Sequence, residues 1–408
     1  MKCRHCAAPL TERFIDLGFA PPSNAYLTQD ALSAPEAYYP LRVAVCGACW
    51  LVQTEDYKQA DELFTGDYAY FSSTSKGWLA HAATYASDIS ARLALGRDSL
   101  VVEVASNDGY LLKNFVGAGI PCYGIEPTTK TAQAARGLGI DVVEAFFGEA
   151  LAQRLIEERG RADLIAGNNV YAHVPDINDF TRGLKALLKP SGTITLEFPH
   201  LAELIEHCQF DTIYHEHFSY LSLGTVARLF EAAGLRVFDV DRLPTHGGSL
   251  RIYGCHAQDP RATSAAVESM RRFEAAAGLE SIDAYRAFQQ RAEAIKNGLL
   301  DFLLAQKKAG KTVAAYGAAA KGNTLLNFAG LKTDLISFVC DAAPSKQGRY
   351  MPGSHLPIVA PDTLLEHKPD FVLLLPWNLK SELATQLSHV KQWGGRLVTA
   401  VPTISFVD

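Results

Sequence analysis

The stretch "SLVVEVASNDGYLLKNF" (residues 99–115) changes character twice along its length. It begins with an apolar run, passes through a turn that contains Gly109, and continues with the periodicity of a helix. This order predicts a strand–loop–helix unit. Strands that alternate with helices indicate a parallel, doubly wound sheet. The next segments of strand character are "PCYGIEPT" (121–128), "IDVVEAFF" (140–147), "ADLIAGNNV" (162–170) and "GTITLEFP" (192–199).

The loop of this first unit indicates which cofactor the sheet can bind. A dinucleotide site would carry G-x-G-x-x-G there, whereas residues 105–109 read Ala-Ser-Asn-Asp-Gly. A single glycine and the acidic Asp108 argue against a phosphate group. They suit a cofactor with a positive sulfonium, S-adenosylmethionine (SAM), although a plain turn without a ligand stays open. Glu126 can accept hydrogen bonds from both ribose hydroxyls, and Phe146 or Phe147 can stack on the adenine. The predicted SAM contacts are Glu103, Ala105, Asn107, Asp108, Gly109, Glu126, Pro127, Phe146, Phe147, Asn168 and Asn169.

A second α/β series follows this sheet. After Gly254 the pattern is helical over about residues 263–308, and strand-like segments then return. The two halves therefore have a similar layout. The strand-like segments are "TVAAYGAAAKGNTLLNF" (312–328, with a helix start), "LISFVCD" (335–341), "FVLLLPW" (371–377) and "GGRLVTAVP" (394–402).

The composition excludes some classes of function. A net charge of −6 over 408 residues gives no general attraction to nucleic acid or to an anionic membrane. The longest apolar runs are far shorter than the roughly 20 residues that span a bilayer, and no early stretch resembles a signal peptide. We therefore expect a cytoplasmic protein with no nucleic-acid or membrane partner. The lack of a long apolar seam favours a monomer.

Four of the eight cysteines form two C-x-x-C pairs, Cys3–Cys6 and Cys46–Cys49. Two such turns can complete a tetrahedral, all-thiolate zinc site, although the separation between the pairs exceeds that of a usual zinc ribbon. A redox C-x-x-C would be expected to open a helix beside a βαβ core, and neither pair has that setting. We predict a structural zinc ion bound by Cys3, Cys6, Cys46 and Cys49. Because all four positions are filled by protein, this zinc would not be catalytic.

Seven segments, in order along nearly the whole chain, resemble the SAM-dependent C-methyltransferases of nucleotide-sugar biosynthesis. The resemblance implies an α/β fold with three parts: a zinc-binding N-terminal region (1–70), a Rossmann-like SAM-binding domain (71–255) and a second Rossmann-like C-terminal domain (256–408). The nucleotide sugar would bind between the last two. The segments are "VEVASNDGYLLKNF" (102–115), "GIEPT" (124–128), "NNVYAHVPD" (168–176), "EFPHL" (197–201), "YHEHFSYLS" (214–222), "HGGSLRIY" (246–253) and "YGAAAKGNTLLN" (316–327).

The same resemblance implies a reaction. Family members methylate the third carbon of a 4-keto sugar nucleotide, a carbon whose hydrogen is acidic because it lies α to a carbonyl. The reaction needs a base, hydrogen-bond donors for the enolate and a methyl sulfonium. The resemblance places the base on His217, oriented by Glu216 and Tyr214. His173 is expected to donate to the enolate oxygen, and Tyr68 matches a further position near the sugar. Which of His217, His173 and Tyr68 takes the proton is left open.

The C-terminal half contains candidate contacts for the sugar and its diphosphate. Lys321 and Asn323 lie on a turn of small residues that begins a helix, and free N–H groups at a helix N-terminus favour an anion. Ser249, Arg251 and Tyr253 alternate along a strand and therefore share one face; an exposed polar strand is the alternative. The full predicted substrate set is Tyr70, His246, Ser249, Arg251, Tyr253, Tyr316, Lys321 and Asn323.

Other functions are compatible with parts of this pattern. Two Rossmann-like halves also suit an NAD-dependent sugar dehydrogenase or epimerase, but the sequence lacks a Y-x-x-x-K run and the glycines noted above. A zinc-anchored binding module without activity and a methyltransferase acting on oxygen or nitrogen are further alternatives. Carbon methylation differs from the last of these because it requires proton removal from carbon.

Overall fold

The computed structural model describes residues 1–57 and 71–407, which form three β-sheets. Tyr68 and Tyr70, both predicted near the sugar, lie outside the described residues. Within the described ranges, no helix is both long and apolar enough to cross a membrane.

The N-terminal sheet begins with three antiparallel strands, β1 (Glu12–Ala20), β2 (Tyr39–Val45) and β3 (Val52–Thr54). Leu41, Val43 and Val45 are buried on alternate positions of β2, while their neighbours are half-buried. This is the pattern of a strand with one face on a core.

The middle region supplies a seven-stranded sheet of order β10-β11-β8-β7-β4-β5-β6. Strands β4 to β8 are parallel, as the sequence predicts, and β11 runs antiparallel between β8 and β10. All four residues of β4 are buried, because helices cover both faces of a parallel sheet. The elements are α1 (Lys76–Leu93), β4 (Val101–Val104), α2 (Leu112–Gly117), β5 (Cys122–Ile125), α3 (Thr129–Gly137), β6 (Asp141–Val143), α4 (Glu149–Arg159), β7 (Ala162–Asn168), α5 (Ile177–Leu187), β8 (Leu188–Pro199), α6 (Leu201–Glu206), β9 (Ser219–Tyr220), α7 (Leu223–Ala232), β10 (Leu235–Leu243) and β11 (Ser249–His256).

The C-terminal region forms a six-stranded sheet of order β14-β13-β12-β15-β16-β17, in which only the last pair is antiparallel. The helical stretch expected over about 263–308 consists of three helices, a division that the sequence analysis did not predict. Gly278 has a φ of +76°, which an uninterrupted helix cannot accommodate. The elements are α8 (Ala265–Ala276), α9 (Asp283–Arg286), α10 (Phe288–Lys308), β12 (Val313–Tyr316), α11 (Ala320–Phe328), β13 (Val339–Cys340), β14 (Ile358–Val359), α12 (Thr363–His367), β15 (Phe371–Leu374), α13 (Lys380–Gln386), β16 (Arg396–Thr399) and β17 (Ser405–Val407).

Two features tie the three regions together. Strand β9 belongs to the middle region of the chain but pairs with β3, so it is the fourth strand of the N-terminal sheet. The N-terminal and C-terminal regions also share one hydrophobic core, where the ring of Phe14 stacks on Phe288 at 4.3 Å and meets Tyr285 edge-on at 5.6 Å. The predicted α/β class, with its N-terminal region, Rossmann-like domain and C-terminal sheet domain, is confirmed. The exact domain boundaries stay a prediction.

Candidate active site and zinc site

A cavity of about 470 Å³ lies at the carboxyl ends of β4, β5, β7 and β8. Open α/β sheets bind their ligands at this edge, and the volume is within the roughly 300–1,000 Å³ that is common for small-molecule sites. Residues from all three regions line the cavity, among them Asn24 from the N-terminal region and Lys321 from the C-terminal region. The cavity is therefore built where the regions meet.

The loop after β4 has an unusual backbone. Ala105, Asn107 and Gly109 all have positive φ angles, of 58°, 48° and 80°. A Cβ on Gly109 would lie 2.4 Å from Ile140 Cδ1, so glycine is required there both for its conformation and for its size. Glu126 holds the loop from the next strand, because its Oε2 accepts from the backbone N–H of Asn107 at 2.9 Å.

The predicted SAM contacts divide into two groups. Glu103 of β4 and the loop residues Asp108 and Gly109 do not line the cavity. Glu103 is fully buried, and burial raises its pKa well above the usual range. Asp108 Oδ2 accepts from the backbone N–H of Ser73 at 3.0 Å. The predicted contacts that line the cavity are Ala105, Asn107, Glu126, Pro127, Phe146, Phe147, Asn168 and Asn169.

Asn168, at the end of β7, indicates a ligand most directly. Its side chain lines the cavity and is 7% exposed, yet neither its Oδ1 nor its Nδ2 has a hydrogen-bond partner among the described residues. A buried amide without partners is costly and is normally satisfied. Asn168 is therefore a candidate contact for a bound molecule.

The histidine-rich loop that precedes β9 forms the opposite wall. Tyr214, Glu216 and His217 line the cavity. Glu216 accepts with both carboxylate oxygens from Asn24 Nδ2, at 2.8 and 2.9 Å, and the Tyr214 ring lies 4.0 Å from the His217 ring. His215 contacts Pro40 O through its Nε2 at 3.2 Å and does not line the cavity.

The hydrogen bonds of His217 fix its tautomer. Its Nδ1 lies 2.8 Å from Thr212 O, and a carbonyl oxygen can only accept, so the hydrogen is on Nδ1. The lone pair of the neutral ring is therefore on Nε2. Burial, reinforced by neighbouring His173, holds the pKa of His217 well below its usual range. The ring is therefore neutral at neutral pH.

His173 lies beside His217, with a distance of 4.6 Å between the two ring centroids. Burial lowers the pKa of His173 to about 4, against a smaller opposing effect of a hydrogen bond to the backbone of Glu216. That bond raises the pKa, as a carbonyl acceptor does, so one ring N–H is donated to Glu216. The other nitrogen of the neutral ring then carries a lone pair.

His246 completes this side of the cavity in a strained conformation. Its φ is +55°, and its Nε2 accepts from Asn169 Nδ2 at 3.0 Å. Burial lowers the pKa of His246 to about 4. The preceding Thr245 donates to the buried Glu197 at 2.9 Å, which anchors the strained turn.

Three predicted substrate contacts near this turn do not line the cavity. Arg251 donates to Glu197 Oε2 at 2.7 Å, Ser249 donates to Thr245 O at 2.9 Å, and Tyr253 donates to Asp241 Oδ2 at 2.7 Å. Arg251 and Ser249 therefore support the turn that presents His246.

Lys321 and Lys346 bring positive charge to the C-terminal wall of the cavity, where Ala319 and Ala320 begin helix α11. Lys321 Nζ donates to Asn378 Oδ1 at 2.7 Å and lies 4.8 Å above the Trp377 ring. Burial lowers the pKa of Lys321.

Two other predicted residues of this region, Tyr316 and Asn323, do not line the cavity. The hydroxyl of Tyr316 accepts from Gln386 at 2.8 Å, and Asn323 Nδ2 donates to Ser23 O at 2.5 Å.

The cavity residues that were not predicted from the sequence include Asn24, Tyr26, Trp78 and Lys346. Asn24 and Tyr26 lie in the loop after β1, where only the polar character of "PPSNAY" distinguishes them. Tyr26 donates to Ala318 O at 2.6 Å and so connects the N-terminal region to the C-terminal wall. Lys346 Nζ donates to the same carbonyl at 2.9 Å.

The four predicted zinc ligands meet in space. Cys3, Cys6, Cys46 and Cys49 have sulfur atoms within 4.8 Å of one another, and Cys3–Cys49 and Cys6–Cys46 are each separated by 3.5 Å. A tetrahedron with Zn–S bonds of about 2.3 Å has sulfur separations of roughly 3.8 Å. The residues fit a closed structural zinc site, which leaves no position for substrate.

The two cysteine turns also have the same backbone. In the first, Ala7 N donates to Cys3 O and Cys3 N donates to Ala8 O; in the second, Trp50 N donates to Cys46 O and Cys46 N donates to Leu51 O. Ala7 and Trp50 both have left-handed conformations, with φ of 60° and 63°. The second turn leads directly into β3.

Comparison with known proteins agrees with this arrangement. Family models match three consecutive parts of the chain: a zinc binding domain over residues 3–64, a methyltransferase domain over 78–240, and the C-methyltransferase C-terminal domain over 244–402. The curated C-methyltransferase NovU of Streptomyces niveus is 35% identical over 401 residues, which cover 98% of this chain and 95% of the relative. The chain belongs to the C-methyltransferase family.

This C-methyltransferase is also similar in part to solved structures. One is the magnesium protoporphyrin IX methyltransferase of Synechocystis with bound SAM, at 15% identity and a TM-score of 0.33, covering 44% of this chain and 81% of the other. Another is a SAM-dependent methyltransferase of Anabaena variabilis, at 13% identity and a TM-score of 0.36, covering 43% and 84%. Neither likeness is close enough to bear on the activity.

Family membership decides between the two cofactors considered for the loop after β4. The protein is a SAM-dependent C-methyltransferase with an N-terminal zinc-binding domain. This outcome agrees with the loop, which has one glycine and an acidic residue where a dinucleotide site would have three glycines.

The zinc site yields a first prediction. A variant with Cys3→Ser and Cys46→Ser removes one ligand from each turn and should lose about one zinc per chain, measured by metal analysis of freshly purified protein. S-adenosylhomocysteine should still bind, because its site lies in the middle sheet. Cys122→Ser, outside the cluster, should keep the metal. Wild-type protein purified without any zinc would contradict the assignment.

Glu126, which holds the loop after β4, yields a second prediction. Glu126→Ala should weaken SAM binding by roughly 10- to 150-fold, because a charged hydrogen-bond acceptor worth about 1.5–3 kcal/mol is lost. Titration calorimetry with S-adenosylhomocysteine measures this. Glu144→Ala is the matched control, since Glu144 is a carboxylate that follows β6 and does not line the cavity. Equal affinities of the Glu126 variant and wild type would place the cofactor elsewhere.

Proposed function

We propose that this C-methyltransferase transfers the methyl group of SAM to C3 of a 4-keto deoxysugar nucleotide after removing the C3 proton. The observation that carries the proposal is the neutral His217, which has its lone pair on Nε2. His217 lines the same cavity as Ala105 and Asn107 of the loop after β4. Methylation of an oxygen or nitrogen would need no such base at a carbon acid. The similarity to a curated C-methyltransferase over nearly the whole chain supports the same chemistry.

In the proposed reaction, His217 Nε2 takes the C3 proton and the electron pair of the broken C–H bond moves into an enolate whose charge rests on O4. Bound SAM would supply an electrophilic methyl group to the C3 carbanion; as the C–C bond formed, the S–CH3 bond would break and leave its electron pair on the sulfur of S-adenosylhomocysteine. Glu216 and Tyr214 orient the base, Glu216 through its two hydrogen bonds from Asn24 and Tyr214 through its contact with the imidazole ring.

The enolate oxygen needs a donor. His173, which the resemblance suggests, is neutral and already donates one N–H to the backbone of Glu216. The Nδ2 group of Asn168 is buried, lines the cavity and has no partner among the described residues. We therefore give the donor role to Asn168 and propose that His173 fixes the position of the Glu216 backbone. A donor preorganised in a buried site stabilises developing charge better than water does.

The diphosphate of the substrate would bind at the C-terminal wall. Lys321 supplies positive charge, Lys346 adds a charge that is paired with Asp341 Oδ2 at 3.6 Å, and Ala319 and Ala320 present the N-terminus of α11 without a side-chain cap. An uncapped helix N-terminus has free N–H groups that favour an anion. The identity of the nucleotide would be determined with a panel of dTDP, GDP, CDP and UDP 4-keto sugars.

A substitution of the base tests the proposal. His217→Asn keeps a similar shape but cannot accept the proton, so methyl transfer to dTDP-4-keto-6-deoxyglucose should fall by roughly 10²–10⁴-fold. Deuterium exchange at C3 in D₂O without SAM should be lost with it, while affinity for S-adenosylhomocysteine stays unchanged. His215→Asn is the control, because His215 does not line the cavity.

Three outcomes would contradict the proposal. Exchange at the wild-type rate in His217→Asn would assign the base to another group. Exchange at C5, the other carbon α to the 4-keto group, would retain the enolate chemistry and change the methylated position. Methyl transfer by wild type without exchange at either carbon would indicate methylation at oxygen or nitrogen.

The pH dependence of exchange follows from the shifted pKa values. An imidazole acts as a base only when neutral, and a pKa lowered by burial keeps His217 neutral well below its ordinary titration range. The exchange rate should therefore show no titration step centred near pH 6.5 and should stay level from pH 8 down to about 6. The unperturbed pKa of histidine is about 6.5. A titration step centred there would mean that the base is exposed to solvent.

A further inference from the structure

Strand β3 (Val52–Thr54) lies between the zinc site and the His217 loop. All three of its residues are buried, and two of them are polar: Gln53 is 0% exposed and Thr54 is 2% exposed. Polar side chains at such positions need hydrogen-bond partners. Gln53 has its partners at the zinc site, and Thr54 has its partners in the His217 loop.

Gln53 connects the strand to the zinc site. Its Nε2 donates to Cys3 Sγ at 3.2 Å, and its Oε1 accepts from the backbone N–H of Arg4 at 2.9 Å. The strand itself continues from the turn that contains Cys46 and Cys49. Both cysteine turns therefore fix the position of β3, one through the chain and the other through this amide.

Thr54 connects the strand to the base. Its Oγ1 donates to His217 O at 3.1 Å, and its backbone N–H donates to Phe218 O at 3.2 Å. The adjacent residues pair in register with β9, Gln53 with Ser219 and Val52 with Tyr220. Since the ring of His217 is held separately by Thr212 O, the base is fixed at both its backbone and its side chain.

We propose that Thr54 is a positioning residue for the base, and that β3 makes the placement of His217 depend on the zinc site. This inference rests on the proposed role of His217 as the base. The zinc ion would then contribute to the reaction through geometry alone. A displacement of about 1 Å in a reacting group can cost roughly 10²-fold in rate, and the two hydrogen bonds from Thr54 to the loop limit such movement.

Two substitutions at Thr54 separate positioning from packing. Thr54→Val keeps the shape of the buried side chain but removes the hydroxyl donor, whereas Thr54→Ser keeps the donor and removes a methyl group. We expect Thr54→Val to lower C3 proton exchange on dTDP-4-keto-6-deoxyglucose by roughly 10- to 100-fold with KM nearly unchanged. Thr54→Ser should stay within about threefold of wild type, because it restores the hydrogen bond.

Readouts independent of catalysis show whether the variants are folded. Zinc content and S-adenosylhomocysteine affinity should equal those of wild type in both. The pH profile adds a further test: a base released from its buried position regains an ordinary pKa, so the exchange rate of Thr54→Val should fall below about pH 6.5 while that of wild type stays level. Equal exchange rates and profiles for Thr54→Val and wild type would overturn the inference. So would equal losses in the valine and serine variants, since packing alone would then explain both.

The zinc dependence is tested on the wild-type chain. After removal of the metal with a chelator, exchange should fall at least as far as in Thr54→Val, with S-adenosylhomocysteine affinity retained, and added zinc should restore it. If the metal-free chain also loses S-adenosylhomocysteine binding, Gln53→Leu serves instead: it leaves all four cysteines in place but breaks the link to Cys3, and should lower exchange while zinc stays bound. Full exchange in the metal-free chain, or in Gln53→Leu, would overturn the coupling.

The His217→Asn variant distinguishes failure of this inference from failure of the proposed function. Loss of exchange in His217→Asn together with normal exchange in Thr54→Val would leave the base assigned and remove only the positioning role. Normal exchange in His217→Asn would remove both.

Discussion

The pairing of β3 with β9 is the interaction that joins the N-terminal sheet to the segment carrying His217. Only two residue pairs form it, Val52 with Tyr220 and Gln53 with Ser219, yet it joins a strand of the zinc-binding region to a segment of the methyltransferase domain. The histidine loop precedes β9 directly, so its position is set by the N-terminal sheet as much as by the sheet that binds SAM. Thr324 of α11 adds a third attachment, because its hydroxyl donates to Ile213 O at 2.8 Å. The loop therefore belongs to all three regions.

The second feature of this site is a group of buried ionisable side chains whose pKa values are shifted by burial. His173, His217 and His246 are held neutral because burial lowers the pKa of each. Asp211, buried beside the Trp377 indole N–H at 2.6 Å, has a pKa raised by burial to about 6. A site of low polarity strengthens each remaining electrostatic interaction. A few groups at fixed positions would therefore accept the proton removed from carbon and stabilise the anion left behind.

The sequence predicts those parts of the structure that depend on local pattern. The five parallel strands, the turn that contains Gly109 and the two cysteine turns each follow from residues adjacent in the chain. The break at Gly278 was missed, since an isolated glycine in a helical pattern does not by itself end a helix. Asn24 was missed for a different reason: its bond to Glu216 spans a sequence separation of 192 residues, and nothing in the periodicity of either segment relates them.

Placement of the candidate site residues shows the same limit. Arg251 and Ser249 were predicted to face one way along β11, and they contact Glu197 and the turn before His246 instead of lining the cavity. Alternation along a strand determines which residues share a face. It does not determine whether that face meets a ligand or a neighbouring loop, because this depends on contacts formed by distant parts of the chain.

The core shared by the N-terminal and C-terminal regions has a consequence for synthesis of the protein. Strand β1 leaves the ribosome early, but its contacts with α9 and α10 come much later: Asp16 N donates to Gln289 Oε1 across 273 residues. At about 5–20 residues per second, that separation corresponds to roughly 15–55 s of translation. During this interval the two cysteine turns can already bind zinc, whereas Phe14 still lacks its ring contacts with Tyr285 and Phe288. Nascent chains of this protein should therefore need protection from aggregation until α10 has been made.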